Sequence, residues 1–192
     1  MTVHTHNFEA DTGKILNIVI NSLYSDRDIF IRELLSNASD AIHKRKFLGQ
    51  IEQGVLNPGS DEILISIDAK KKTIVITDTG IGLSEADLTE TLGTIARSGT
   101  SSFLDSIGEA AGSKDAAKAL IGKFGVGFYS AFMVSEKVVV TTRKADHQET
   151  YIWESDGQSG YSISQSEVGH EVGTSIKLFL RKDAKEYADQ SK

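Results

Sequence analysis

Ile31-Arg-Glu-Leu-Leu-Ser-Asn-Ala-Ser-Asp-Ala-Ile42 is the stretch from which the fold of this 192-residue chain can be read outward. Glu33, Asn37 and Asp40 stand at i, i+4 and i+7, so on a helix they share an arc of roughly 60°. Phe30, Ile31, Leu34, Leu35, Ala38, Ala41 and Ile42 fill an adjoining arc of about 140°. A solvated helix carries its charges opposite its apolar face. Here the polar triad borders the apolar arc, as it would where a packed core meets a cavity.

The neighbouring segments supply something for that helix to pack on. Residues 11–24 read as an amphipathic helix, with Asp11 or Thr12 as its cap. Ser25-Asp26 then starts the quoted helix, which is expected to run to about Phe47. His43 to Lys46 fall in its last turns, where basic groups suit the helix dipole. Gly49 to Ser60, with the only proline, reads as a loop.

Ile63–Asp68 and Thr73–Asp78 alternate like strands and are joined by the polar turn Ala69-Lys-Lys-Lys72, which predicts a β-hairpin. Ser84, with Asp87 three residues on, is a carboxylate form of the capping box and starts a helix to about Leu92. From Gly93 to Gly127 the chain is rich in glycine and small residues. A section of that length without sustained periodicity is expected to be a partly helical lid or binding loop. Tyr129–Val134 reads as a short buried helix. Lys137–Lys144, Glu149–Glu154, Tyr161–Ser166 and Thr174–Leu180 read as a four-stranded antiparallel meander. The tail from Arg181 has no evident apolar face. The expected fold class is α+β, a two-layer α/β sandwich with helices on one face of a largely antiparallel mixed sheet.

Composition narrows the functions open to such a domain. A net charge of −6 without a long basic run argues against a nucleic-acid partner. The absence of cysteine excludes disulfides and thiolate metal sites, and it fits a reducing compartment. The five histidines show no ligand spacing. No secretory signal and no apolar run of about 20 residues is visible, so the expectation is a cytoplasmic chain with no membrane partner.

Three motifs carry chemistry. Gly122-x-x-Gly125-x-Gly127 immediately before a helix offers main-chain N–H groups to an anion, because glycine permits close approach and positive φ. It is neither a Walker A loop, since Phe124 follows Lys123, nor a dinucleotide fingerprint. By itself it also fits an ordinary loop-to-helix turn. Asp78-x-Gly80-x-Gly82 is a carboxylate closing a strand; it fits a plain Asx turn, or a buried acceptor for a neutral donor such as an exocyclic amine. On the helix, Glu33 can orient and deprotonate water, and the Asn37 carbonyl oxygen is a hard ligand of the kind Mg²⁺ prefers.

In combination, Glu-x-x-x-Asn-x-x-Asp on a helix, Asp-x-Gly-x-Gly after a strand and Gly-x-x-Gly-x-Gly before a helix resemble the GHKL ATPases. Tyr24–Ala41, Leu92–Thr100 and Ile121–Phe132 are more particularly similar to the heat shock protein 90 chaperones. The likeness extends over essentially the whole chain, as that family's N-terminal nucleotide-binding domain. The short start and missing charged linker look more like its bacterial, high-temperature protein G, branch.

The resemblance implies an ATP-binding, ATP-hydrolysing domain of a chaperone that acts on unfolded client proteins in the stress response. It implies residues 1–181 as the domain, a lid over about 93–122, and 182–192 as the start of a linker to a further domain. Glu33 would be the catalytic base and Asn37 the Mg²⁺ ligand. Asp40 would line the pocket through water, Asp78 would accept the adenine amino hydrogen, and Thr174 would support it. Leu83, standing where many members have Met, would pack on the base, and Gly82 would be among the nucleotide-binding residues. Thr91 stands near the ribose, where eukaryotic members have Asn. Arg97, often Lys in the family, would reach phosphate with Ser98 and Gly99, keeping the charge in a different geometry. Gly122, Phe124, Gly125, Val126, Gly127 and Phe128 would cradle the phosphates. ATP or ADP and Mg²⁺ are the expected ligands. Clients and a homodimer partner would bind through domains outside this chain, leaving it monomeric alone. The alternatives are another GHKL ATPase, gyrase- or MutL-like, or a nucleotide-sensing module without hydrolysis.

Overall fold

The computed structural model describes residues 27–51, 61–93 and 127–189. Helix α1 spans Ile29–Ile51, strands β1 and β2 span Ile63–Asp68 and Thr73–Asp78, and helix α2 spans Glu85–Thr91. A 3-10 helix over Gly127–Met133 leads into β3 (Ser135–Arg143), followed by β4 (Tyr151–Ser155), β5 (Tyr161–Gln165) and β6 (Gly173–Leu180). A second 3-10 helix covers Lys182–Ala188. The result is the expected α+β sandwich.

The strands form one sheet in the order β1-β2-β6-β3-β4-β5. Every described pairing is antiparallel, whereas the sequence left room for a mixed sheet. The four-strand meander is corrected in one respect: β3, β4 and β5 follow one another, but β6 returns to lie between β2 and β3. Its position explains its pattern. Alternate residues Thr174, Ile176, Leu178 and Leu180 are buried, and the residues between them are half-exposed. A central strand with one covered face requires that alternation.

Directly paired residues in an antiparallel sheet share a face, so the register can be read as rows across it. Ile74, Leu178 and Val138 make one row, and Ile76, Ile176, Val140 and Trp153 the next. All of them are buried. Phe30 and Leu34 of α1 and the wholly buried Gly127–Met133 helix cover these rows. Leu34 has no exposed surface; truncating such a leucine costs about 2–5 kcal/mol.

Two further expectations are corrected. Helix α1 does not end near Phe47 but continues through Gly49 to Ile51. Leu48 packs with Ile81 and Ala145, and that contact outweighs the roughly 1 kcal/mol a helical glycine costs. His43 to Lys46 therefore precede the last turn, and Arg45 turns inward instead of facing the dipole. The tail does have an apolar side. Ala184 and Ala188 are buried, and the Tyr187 ring meets Phe30 edge-on at 5.2 Å. Tyr129–Val134 is the expected short buried segment, in 3-10 form.

Candidate functional site

The third row of the sheet is polar. Asp78 pairs with Thr174, and Thr174 pairs on its other side with Thr142, so three oxygen-bearing side chains follow one another on the covered face. All three are buried. This row lies where the apolar rows end, and a cleft of 390 Å³ opens beside it. That volume falls within the about 300–1,000 Å³ usual for small-molecule sites. Asn37, Ala38 and Ala41 of α1 form one wall, and Val140, Thr174 and Ile176 of the sheet another. Asp78, Ile81, Gly82, Leu83, Thr91, Leu92 and Phe128 complete its lining.

The loop after β2 is held by contacts that explain its glycines. Asp78 Oδ1 accepts a hydrogen bond from the Gly80 N–H at 2.8 Å. The Ile81 N–H donates to the Ala41 carbonyl at 3.1 Å, which draws the loop onto α1. A Cβ on Gly80 would stand 2.5 Å from the Ala41 Cβ. Gly82 has φ +68°, and its Cβ would run into the Arg143 carbonyl. Arg45, buried on the same helix, donates from Nη1 to the Thr79 carbonyl at 2.9 Å and to the Gly80 carbonyl at 3.4 Å. Burial pushes its guanidinium below the ordinary value.

Asp78 is the unusual group. Burial pushes its carboxyl up to about 6, while hydrogen bonds from the Gly80 and Thr174 main chain pull the other way without prevailing. Among the described residues no cation contributes, and main-chain N–H groups hold the charge there. A buried acceptor kept at a strand end beside an apolar cleft suits an uncharged donor better than a cationic one.

Directly after Leu83, Ser84 and Asp87 complete the expected capping box of α2. Burial opposes the charge on Asp87, but hydrogen bonds from Ser84 and Lys144 bring it down to about 2. The Tyr129 hydroxyl donates to the Leu92 carbonyl at 2.5 Å and anchors the point from which the expected lid departs. Glu33 stands over the start of the 3-10 helix, close enough that a Cβ on Gly127 would strike its Oε2.

Of the residues singled out in the sequence, Asn37, Asp78, Gly82, Leu83, Thr91, Phe128 and Thr174 are brought together around the cleft. Glu33 and Gly127 meet beside it. Asp40 is exposed and does not line it. Arg97, Ser98, Gly99, Gly122, Phe124, Gly125 and Val126 lie outside the described residues, as does the lid beyond Gly93. Sequence reasoning missed Arg45 and Thr142. The alternation Val138, Val140, Thr142 in β3 marks Thr142 as inward-facing, but nothing local marks it off from a core threonine.

The donor set fits the expected ligands. The Asn37 amide is one hard oxygen, and no cluster of three or more His, Cys, Asp or Glu occurs among the described residues. A single side-chain ligand, with phosphate and water completing the shell, is how Mg²⁺ is commonly held beside a nucleotide. Among the described residues no helix is long and apolar enough to cross a membrane.

Comparison with known proteins agrees with this geometry. The family model for histidine kinase-, DNA gyrase B- and HSP90-like ATPases matches residues 24–172. The chain is 46% identical over 190 residues to the chaperone protein HtpG of Methylorubrum populi, covering 98% of this chain and 30% of that protein. Its likeness to the HtpG of Rickettsia typhi is 46% over 190 residues, with the same coverage. With the HtpG of Wolbachia pipientis it shares 49% over 187 residues, 95% of this chain and 29% of that protein. It thus spans about 30% of the length of these curated relatives. With a family-model match over residues 24–172, most of its length, the chain belongs to the histidine kinase-, DNA gyrase B- and HSP90-like ATPase family.

Proposed function

We propose that this chain is the ATP-binding and ATP-hydrolysing domain of a molecular chaperone of the HtpG type. The observation that carries the reading is Asp78. It is a buried carboxylate with no cationic partner among the described residues, and it lines a cleft together with the helix bearing Asn37 and Glu33. The adenine amino group donates to Asp78, and the base packs against Ile81, Leu83 and Ile176. The triphosphate runs toward Gly127 and the main-chain N–H groups of Gly122, Phe124, Gly125, Val126 and Phe128, with Arg97, Ser98 and Gly99 alongside. Asn37 would hold Mg²⁺, which when bound neutralises phosphate charge.

Glu33 accepts a proton from a water whose oxygen attacks the γ-phosphorus. The bond to the β-phosphate oxygen breaks, and ADP and inorganic phosphate leave. The position of Glu33 beside Gly127 supports this role, because it sets the carboxylate where the phosphate loop ends. The full cycle couples ATP binding and lid closure to work on unfolded client proteins. It uses segments beyond this chain for a homodimer partner and for a basic group that assists hydrolysis. Alone, the chain is a cytoplasmic monomer that binds nucleotide well and hydrolyses it slowly. Similarity to HtpG proteins at 46–49% identity favours this over a gyrase-like ATPase or a sensing module.

Calorimetric titration of Mg-ADP and ATP into the wild type and Asp78→Asn tests the reading; undiminished binding by the variant overturns the adenine assignment. Glu33→Ala should retain binding and abolish turnover in a longer chain carrying the following domain. Unchanged turnover would remove Glu33 as base.

A further inference from the structure

Arg45 does not line the cleft, yet it is buried on α1 against the loop that follows Asp78. Its Nη1 donates to the Thr79 carbonyl at 2.9 Å and to the Gly80 carbonyl at 3.4 Å. The Thr79 carbonyl belongs to the same peptide unit as the Gly80 N–H, and that N–H donates to Asp78 Oδ1 at 2.8 Å. One planar peptide therefore joins a guanidinium on one side to a carboxylate on the other. In such a chain each hydrogen bond polarises the next. The positive charge draws on the carbonyl oxygen and makes the N–H a better donor to Asp78.

The surroundings of Arg45 do not favour it for packing alone. Its side chain is 6% exposed, burial disfavours its charge, and its Nε finds no acceptor among the described residues. Asp61 supports the charge but is also paired with Lys46 at 2.6 Å, and Arg143 opposes it. Ala41, Arg45 and Leu48 share one face of α1, and the two flanking residues pack against Ile81 and Ala145. An apolar residue at 45 would suit that face and leave no charge buried. It would lack only the hold on the loop. Turning the 79–80 peptide over would point its carbonyl at Asp78, through a change of Gly80 φ that glycine accommodates. Arg45 opposes that turn, because it would strip the guanidinium of its acceptor.

We propose that Arg45 is a positioning residue of the cleft, gripping the Thr79 and Gly80 carbonyls so that the Gly80 N–H stays turned to Asp78 and fixes its carboxylate as an acceptor. The inference rests on the nucleotide-binding reading above for its ligand, but the grip belongs to the unliganded chain. Burial pushes the Asp78 carboxyl up to about 6, and the Gly80 and Thr174 main chain opposes it. Among the described residues no titratable side chain of α1, the sheet or the loop adds to that balance. Asp78 is therefore sensitive to the loss of either main-chain donor.

The test follows the Asp78 carboxyl by carbon-13 NMR in unliganded wild type, Arg45→Met and Arg45→Lys, and then Mg-ADP binding by calorimetry between pH 5 and 8. In Arg45→Met the Asp78 midpoint should rise by about one pH unit, the scale of one hydrogen bond to a charged group. Since the ligand needs the ionised form, Mg-ADP affinity should fall about fivefold at pH 6 and by little at pH 8. Arg45→Lys keeps a charged donor within reach of the carbonyls and should return the midpoint most of the way. A folded methionine variant with an unchanged midpoint overturns the proposal and leaves Arg45 a packing role, even if affinity and stability drop together. A lysine variant shifted as far as the methionine one also overturns it, because shape rather than the donor would then set the loop. If the methionine variant does not fold, Arg45→Gln takes its place, with a smaller rise expected and an unchanged midpoint again decisive against. A shifted midpoint in a chain whose wild type fails to bind Mg-ADP would uphold the grip and refute the nucleotide reading instead.

Discussion

Asp68 and Asp78 close the two strands of one hairpin, and each accepts from the main chain just beyond it. Asp68 Oδ1 receives the Lys70 and Lys71 N–H groups at 3.0 and 2.9 Å, and Asp78 Oδ1 receives the Gly80 N–H at 2.8 Å. The local grammar is shared, but the electrostatic outcome is opposite. Hydrogen bonding from the Lys71 main chain holds the Asp68 carboxyl below the ordinary range, whereas burial lifts Asp78 to about 6. The difference arises from what the sheet places above each carboxylate. β1 is an edge strand, and Asp68 points to solvent; β2 is flanked by β6 and covered by α1. An Asx turn thus becomes a candidate binding group only when the tertiary layer removes its water.

The most severe way to break the comparison is Asp78→Asn. The amide oxygen can still accept from Gly80, but the charge proposed to receive the adenine amino group is gone. Mg-ADP affinity should fall on the order of a hundredfold, the scale of a lost hydrogen bond to a charged group. Stability should change in the other direction. A carboxyl whose pKa is raised on folding from 3.8 to about 6 contributes stability below pH 3.8 and loses it as pH rises through 6. The unliganded variant should therefore exceed the wild type by up to about 3 kcal/mol at pH 8 and by little at pH 4, as measured by urea unfolding. A variant that is less stable at pH 8 would contradict the burial account.

Next in size is an exchange of backbone demands between the two turns. Each contains a residue of positive φ, Lys72 at 53° and Gly82 at 68°. Lysine is tolerated in the exposed turn, where the strain of about 1 kcal/mol is its only cost. At Gly82 a side chain would also meet the Arg143 carbonyl. Gly82→Ala should cost about 2–3 kcal/mol and weaken nucleotide binding, because Leu83 and Asp78 move with the loop. Lys72→Gly should shift the unfolding midpoint only slightly and leave binding alone. Equal effects at the two positions would show that strain alone, rather than the approach of β3, fixes the site.

Asp87 sharpens the contrast from between the two extremes. It is half-buried, yet hydrogen bonds from Ser84 and an ion pair with Lys144 at 2.9 Å keep it charged. Burial therefore raises a carboxyl where main-chain N–H groups are its partners, and yields where a hydroxyl and a lysine ammonium join in. Asp87→Ala removes one half of the capping box and should cost about 1 kcal/mol in a denaturant titration, with ADP affinity changed less than by Gly82→Ala.

What the sequence made legible follows the same division. The hairpin boundaries, the Ser84–Asp87 cap and the alternation in β6 are local, and each follows from residues within a few positions. The candidate site's components were also visible, since Glu33, Asn37 and Asp78 announce themselves by type and spacing. The row Asp78–Thr174–Thr142 was not legible from spacing, because it exists only once β6 leaves the meander and inserts between β2 and β3. Thr142 looks like any inward threonine until the Leu83 N–H and the Gly173 carbonyl are brought to it. The same holds for Arg45, which looks like part of a basic helix end until the loop after β2 folds over it. Asp40 shares the polar arc of α1 with Asn37, as the spacing predicts, but it is exposed, and the helix lines the cleft with Asn37, Ala38 and Ala41.

The smallest expected effect belongs to Asp68→Asn, and its sign makes it informative. Asparagine keeps the acceptor for Lys70 and Lys71, so the turn survives; only the 3.6 Å ion pair with Lys71 is lost, in full solvent, where such pairs contribute little. Nucleotide binding should be unchanged within error. Since folding lowers this pKa, the wild type's advantage is present above pH 3.8 and disappears as pH falls below it. The two aspartate variants should therefore show pH profiles of opposite slope, with the Asp78 variant gaining on wild type as pH rises and the Asp68 variant losing slightly. Parallel profiles would mean that hydrogen bonding, common to both turns, outweighs the burial that separates them.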